Sequence, residues 1–341
     1  MSRALRERYS LTDRSTLSRA CRGTGQESRD TTMPWDQRIE RLLDRYPSLR
    51  AVGNTPLVPL PIFRRELPDV EVLAKMECLN PGGSLKDRPV LRMVLGALAD
   101  GRLEPGKTVL DSSSGNAGIA YAMIGQIVGV PVEIVMPDNA TVERKKRIGA
   151  HGGRLIFTDA LKGYDEALCE VHRRYKADQD RYFFCDQYSN EENWRAHYET
   201  TAAEILEQTG GRLSHVVVGV GTGGTLTGLG RRLKEHDPRI RLVCVIPEAF
   251  PGIEGLKPLG SPGDIRPAIL DESLIDERVP VTVDEAYAMC VRLARVGFFV
   301  GQSSGAYLVG VECVAHRERR GRFVTLFNDL GERYFSTRLW D

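Results

Sequence analysis

Residues 216–228 read VVVGVGTGGTLTG. The valines form an unbroken apolar run, the mark of a strand buried on both faces, and Gly219, Gly221, Gly223 and Gly224 then interrupt it. A helix opens near Thr225. A strand that passes through a glycine turn into a helix offers bare backbone N–H groups and a helix N-terminus, here with the hydroxyls of Thr222 and Thr225 beside them. That is an anion site. The spacing of Gly219, Gly221 and Gly224 also satisfies G-x-G-x-x-G, the dinucleotide pattern. The acid such a site needs for a ribose would fall near Asp237, inside HDPR and not at a strand end. A monophosphate therefore fits better than a pyrophosphate.

The same strand-then-helix rhythm spreads outward. Short β-rich runs recur as VEVLAKME, TVLDSS, VEIVMP, RLIFTD, YFFCDQ, SHVVVGV, RLVCVIP and RFVTLF. Stretches with helical spacing lie between them, such as PVLRMVLGALADG and EENWRAHYETTAAEILEQTG. Near-continuous apolar strands alternating with helices predict an α/β fold whose parallel sheet is covered on both faces. The 341 residues suit two domains, and with no linker visible after residue 70 the two are interleaved or tightly joined. Residues 1–45 are rich in Arg, Ser and Thr and read as a disordered or loosely attached tail.

Composition narrows the partners. Hydrophobic residues are 41%, charged residues 27%, and the net charge is +1. Nothing in that balance favours nucleic acid or an anionic membrane, and no apolar run reaches the roughly 18 residues of a membrane span. The opening MSRALRERYSLTDR has no apolar core and is no secretory signal. Seven scattered cysteines, without CxxC or Cys/His metal spacing, read as buried free thiols in a reducing cytoplasm, and no metal is expected.

In open α/β sheets ligands sit at the carboxyl ends of the strands, and two more loops stand out there. Residues 80–89 read NPGGSLKDRP. Ser84 and Asp87 fit a capping box, so a helix is predicted to begin at Ser84 with Lys86 on its first turn. The helix dipole is already positive at that end, which disfavours an ammonium and favours a free amine, the form that makes a Schiff base. Residues 111–118, DSSSGNAG, follow a strand and precede a helix, and their hydroxyls and N–H groups form a cradle for a carboxylate or phosphate. Read singly, each loop is equally an ordinary polar turn. Together, an amine nucleophile, a carboxylate cradle and a monophosphate cup point to pyridoxal phosphate.

These segments, with GNTPLV, MPDNATVERKKRIGAHGG, DQYSNEENWRAHYETTAAEI, VGQSSGA and GERYFST, resemble the cysteine synthase family of the tryptophan-synthase-β-like, fold type II pyridoxal-phosphate enzymes. The resemblance runs from about Gly53 to Thr337. It implies two interleaved three-layer domains with mostly parallel sheets: a larger one from residues 46–79 and 191–341 that binds the cofactor phosphate, and a smaller mobile one from residues 80–190 that carries the substrate loop. It implies that Lys86 forms the Schiff base and is the catalytic residue. Asn116 would face the ring hydroxyl, Gly221, Thr222, Gly223, Gly224 and Thr225 the phosphate, and Ser303 the pyridine nitrogen. Ser113, Ser114, Gly115 and Asn116 would hold the substrate carboxylate, with Gln187 near it. Lys257, in PGIEGLKPLG, stands where some relatives carry a cation, and would read the charge of a leaving group or donor. The implied activity is β-replacement on O-acetylserine or O-phosphoserine with sulfide or another sulfur donor, giving L-cysteine, in a cytoplasmic homodimer. Rival readings are another β-elimination or replacement, such as cysteine desulfhydration, cystathionine formation or diaminopropionate synthesis, and a non-catalytic nucleotide-binding module. Ala117 lacks the hydroxyl that the family's loop commonly carries there, which bears on the choice of amino-acid substrate.

The tail yields the first test. A chain beginning at Pro34 is expected to keep cofactor, activity and assembly, because the residues before it cannot bury enough apolar area to offset their ordering entropy. Loss of folding in the shortened chain, read by circular dichroism, would make the tail structural.

Overall fold

The computed structural model describes residues 35–113, 115–250, 252–259 and 265–341. Most of the expected tail lies outside them, but residues 35–45 do not behave as a tail. Helix α1 (Gln37–Arg45) is capped by Asp36, whose carboxylate accepts the N–H groups of Arg38 and Ile39 at 3.0 and 3.2 Å. Ile39 and Leu43, one turn apart, are buried with Trp35. The signal was a short apolar trio, Ile39, Leu42 and Leu43, set among charges.

Two sheets follow. The larger takes β1 (Leu57–Pro59), β2 (Val70–Lys75), β7 (His215–Gly219), β8 (Arg241–Pro247), β9 (Glu277–Val281) and β10 (Gly321–Leu326), in the order β1-β2-β10-β7-β8-β9. The smaller takes β3 (Thr108–Ser112), β4 (Val132–Pro137), β5 (Arg154–Thr158) and β6 (Tyr182–Phe184), in the order β5-β4-β3-β6. Every pairing is parallel except β1 with β2. The helices between strands are α2 (Asp87–Ala99), α3 (Asn116–Val128), α4 (Val142–Ala150), α5 (Gly163–Ala177), α6 (Glu192–Ala196), α7 (Ala202–Thr209), α8 (Gly224–His236), α9 (Val283–Ala294) and α10 (Gln302–Glu318). No described helix is long and apolar enough to cross a membrane.

All eight runs read as strands are strands. The two that were missed, β1 and β9, are the two edges of the larger sheet. Both carry a proline, Pro59 and Pro280; β1 has no buried residue, and β9 buries only Val279 and Val281, on one face. An edge strand needs neither a full ladder nor burial on both sides, so it leaves little apolar signal. The helix expected across residues 191–210 is split: α6 and α7 flank a π-helical turn, His197–Thr201. Such turns insert a residue into the helical ladder and often mark sites.

A buried ion cluster fixes how α2 meets the larger sheet. Arg88 is fully buried. Its guanidinium grips both oxygens of Glu77 at 2.7 and 2.8 Å and reaches Glu204 on α7 at 2.6 and 2.8 Å. Lys75, at the end of β2 and equally buried, pairs with Glu204 at 2.6 Å. Burial pushes the Glu77 carboxyl up, but Arg88 outweighs it and holds the group below its usual range. Charges taken out of water persist only when each is paired. Arg88→Met is therefore expected to cost about 3–5 kcal/mol, because two carboxylates are left facing one ammonium. Urea unfolding measures this, and a loss under about 1 kcal/mol would mean that water reaches the cluster.

Candidate active site

The carboxyl ends of both sheets open on one cavity of about 640 Å³. Lys86, Ser113, Asn116, Gln187, Gly221, Thr222, Gly223, Thr225, Lys257 and Ser303 line it. Gly115 and Gly224 belong to the same two loops but sit behind the wall, packed against Arg144 and Asn193. Ser114 lies outside the described residues.

Lys86 stands immediately before α2, as its N-cap, so the helix begins later than the capping box proposed. The reason is that Asp87 turns back to accept the N–H of Gly82 instead of closing onto Ser84. The segment before Lys86 is laid along the end of β10: the Leu85 N–H donates to the Asn328 carbonyl at 3.0 Å, and Ser84 bridges Asp329. The Lys86 amine makes no hydrogen bond to any described residue. Burial pushes it down to about 8, against the pull of Asp329, which favours the charged form. At neutral pH the amine still carries its proton for the most part, but it gives the proton up far more readily than an ordinary lysine, which suits a nucleophile and a base.

The glycine loop lies next to that amine. A Cβ on Gly221 would stand 3.9 Å from the Lys86 Nζ and only 2.6 Å from the Gly255 carbonyl oxygen, so no side chain fits there. Gly223 has φ +86 and ends the loop as the N-cap of α8. The N–H groups that open α8 thus face the cavity with the Thr222 and Thr225 hydroxyls. Two unpredicted residues hold these hydroxyls. Asn193 donates to Thr222 Oγ1 at 3.0 Å and to the Gln187 carbonyl at 2.7 Å. His197, on the π turn, meets Thr225 Oγ1 at 3.3 Å. Burial, with Arg88 and Lys86 nearby, keeps this imidazole neutral, its pKa well below the ordinary value. Asp237, the acid that a dinucleotide would need, caps the far end of α8. At 1.5 Å per residue that is roughly 20 Å away, so Asp237 cannot meet a ribose bound at this loop.

In the serine-rich loop, Ser113 Oγ accepts the N–H groups of Gly115 and Gly118 at 3.0 and 2.9 Å. Its hydroxyl hydrogen remains available to a ligand. Gln187 is buried, its amide donating to the Ser112 carbonyl at 2.6 Å. Beneath both lies Asp111, which sequence reasoning passed over. It accepts the Ser112 N–H at 2.7 Å, the Tyr121 hydroxyl at 2.6 Å and the Gln187 N–H at 3.2 Å. Asn116 spans the cavity floor: its Nδ2 donates to Asp329 at 2.7 Å, and its Oδ1 accepts from Arg333 at 2.6 Å. Ser303, on the first turn of α10, lies opposite. Lys257 reaches the rim, but its ammonium lies 3.6 Å from Asp165, 5.3 Å from the Tyr188 ring centroid and 3.2 Å from the Ile265 carbonyl.

A free amine, a bare N–H cup at a helix start and a hydroxyl facing them fit the aldehyde, phosphate and ring nitrogen of pyridoxal phosphate. Sequence comparison agrees. The pattern of the pyridoxal-phosphate dependent enzyme family matches residues 49–329, which include every one of these groups. A cysteine synthase of Aquifex aeolicus is 46% identical over 302 residues, covering 86% of this chain and 91% of its own. Cysteine synthase B of Pseudomonas aeruginosa is 37% identical over 299 residues, covering 87% and 98%. The crystal structure of an O-ureido-L-serine synthase has a TM-score of 0.78 and 37% identity, covering 86% of this chain and 94% of that one. The chain belongs to the cysteine synthase family of fold type II pyridoxal-phosphate enzymes, and its cofactor is pyridoxal 5′-phosphate.

The amine carries a pH signature. Folded, Lys86 loses its proton near pH 8; unfolded, near 10.5. Between those values the unfolded chain holds more protons, so the stability of the cofactor-free protein contributed by this group rises with pH. Denaturation at the two ends of that window is expected to show a larger rise for the wild type than for Lys86→Met, which has nothing to titrate. Equal rises would mean that the amine is not depressed.

Proposed function

We propose that the protein makes L-cysteine by β-replacement on an O-activated L-serine, with sulfide as the second substrate. The observation that carries this is the Lys86 amine, without a hydrogen-bond partner among the described residues and set beside the glycine loop that opens α8, in a cavity that the serine-rich loop also lines. When bound, pyridoxal phosphate supplies an aldehyde for the amino group and an electron sink for the α-carbon. The chain supplies the rest. The Ser113 hydroxyl and the N–H groups that open α3 orient the substrate carboxylate. Lys86, once its amine is free, removes the α-proton, and that proton stays on its Nζ while the leaving group departs from the β-carbon. Sulfide then adds to that carbon, and Lys86 returns the proton to the α-carbon.

The rim favours a β-substituent that is uncharged while it is bound to the serine. Lys257 is paired with Asp165, and Arg144 with Glu254, so an anionic group would have to displace a carboxylate to reach either cation. O-acetylserine fits this arrangement better than O-phosphoserine.

The test is a panel of O-acetylserine, O-phosphoserine, serine and cysteine, with and without sulfide, on cofactor-loaded protein. Cysteine is expected from O-acetylserine and sulfide at the highest kcat/KM. Lys86→Ala is expected to remove that activity and to leave the fold intact, with stability at neutral pH raised rather than lowered, because a buried amine that has lost proton affinity is a net cost to folding. Retention of wild-type turnover in Lys86→Ala would overturn the assignment, and faster turnover of O-phosphoserine would overturn the choice of substrate.

A further inference from the structure

We propose that Asn328, which the reading of the site has not used so far, points the Ser303 hydroxyl at the cofactor and so keeps its ring nitrogen unprotonated. The inference rests on the proposal that Ser303 faces that nitrogen.

Asn328 is buried, and its amide nitrogen donates to Ser303 Oγ at 3.0 Å. Its Oδ1 has no partner among the described residues. An amide nitrogen gives hydrogens and takes none, so Ser303 Oγ is an acceptor on that side.

Ser303 therefore keeps one hydrogen to place. No acceptor among the described residues meets it, and the side chain lines the cavity. The hydrogen points at whatever fills the cavity. A donor can face a ring nitrogen only through that nitrogen's lone pair, so the ring is neutral. A neutral ring withdraws electrons moderately, enough for loss of a β-substituent, and leaves the α-carbon less prone to other outcomes. The opposite amide orientation would accept the Ser303 hydrogen, turn the oxygen's lone pair towards the ring and favour a protonated nitrogen. Asn328 is thus a positioning residue acting through Ser303. Its backbone has a second task on the same side: its N–H donates to Ser304 Oγ at 2.9 Å, and its carbonyl accepts from Leu85, next to Lys86. Both the amine and the ring-nitrogen partner are thereby placed from one residue.

The test uses holoenzyme reconstituted with pyridoxal phosphate labelled with nitrogen-15 in the ring. In the wild type the label is expected at the chemical shift of a neutral pyridine and to stay there from mildly acid to mildly alkaline pH. Asn328→Asp replaces the donor by a carboxylate that can only accept. The label is expected to move to the pyridinium shift, and that movement is expected to vanish when Ser303→Ala is added. A pyridinium shift in the wild type overturns the proposal, even if the variant does not fold. So does an unmoved label in Asn328→Asp, or the same movement with Ser303→Ala present, which would make the carboxylate's charge the direct cause. Failure of the wild type to take up the cofactor would instead overturn the reading of the site itself.

Discussion

The buried guanidinium of Arg88 is the constraint on which the site depends. It lies two residues beyond Lys86, on the first turn of α2, and is held by Glu77 beyond β2 and Glu204 on α7. Four planar hydrogen bonds to two carboxylates fix its orientation as well as its position. The start of α2 cannot shift or rotate without uncovering charge in a dry interior. Lys86 inherits that rigidity. Its amine is put next to the glycine loop by a charge requirement, and the burial that makes the cluster obligatory also lowers the amine's proton affinity.

A second polar node joins the two sheets across the cavity. Asp329, beyond β10, is fully buried and accepts from Asn116 on α3 and from the Tyr334 hydroxyl at 2.8 Å. Arg333 reaches from the same segment to Asn116 and to the Gly82 carbonyl. The serine-rich loop, the lysine turn and the end of β10 are therefore one hydrogen-bonded unit. Asn116 is held at both ends, yet its amide nitrogen has a second hydrogen, which is what a ring hydroxyl would use. Buried networks of this kind specify geometry when every member is satisfied. One oxygen of Asp329 is unpartnered among the described residues, on the side of Gly301 that leads into α10.

Much of this was legible in the sequence because burial writes itself as apolar runs. The interior strands and the glycine loop announce themselves, and the lysine turn is recognisable from its glycines. Edge strands β1 and β9 were nearly silent: β1 is three residues with none buried, and β9 offers only the short alternation of Val279 and Val281 about Pro280. The residues that orient the ligand groups were harder still. Asp111, Asn193, His197, Asn328 and Asp329 act through contacts between positions far apart in the chain, such as Asn116 with Asp329, and no spacing rule encodes those. The π turn had no signal at all, because its sequence reads as continuous helix. The capping box misled for a local reason: Asp87 found a nearer N–H at Gly82.

The central claim is that Lys86, among all the lysines, is the residue that bonds the cofactor. The direct measurement is borohydride reduction of the pyridoxal-phosphate-loaded protein, followed by proteolysis and mass spectrometry. The account predicts a single phosphopyridoxyl group, on the peptide that contains Lys86. A label on Lys75, Lys257 or spread over surface lysines would contradict it.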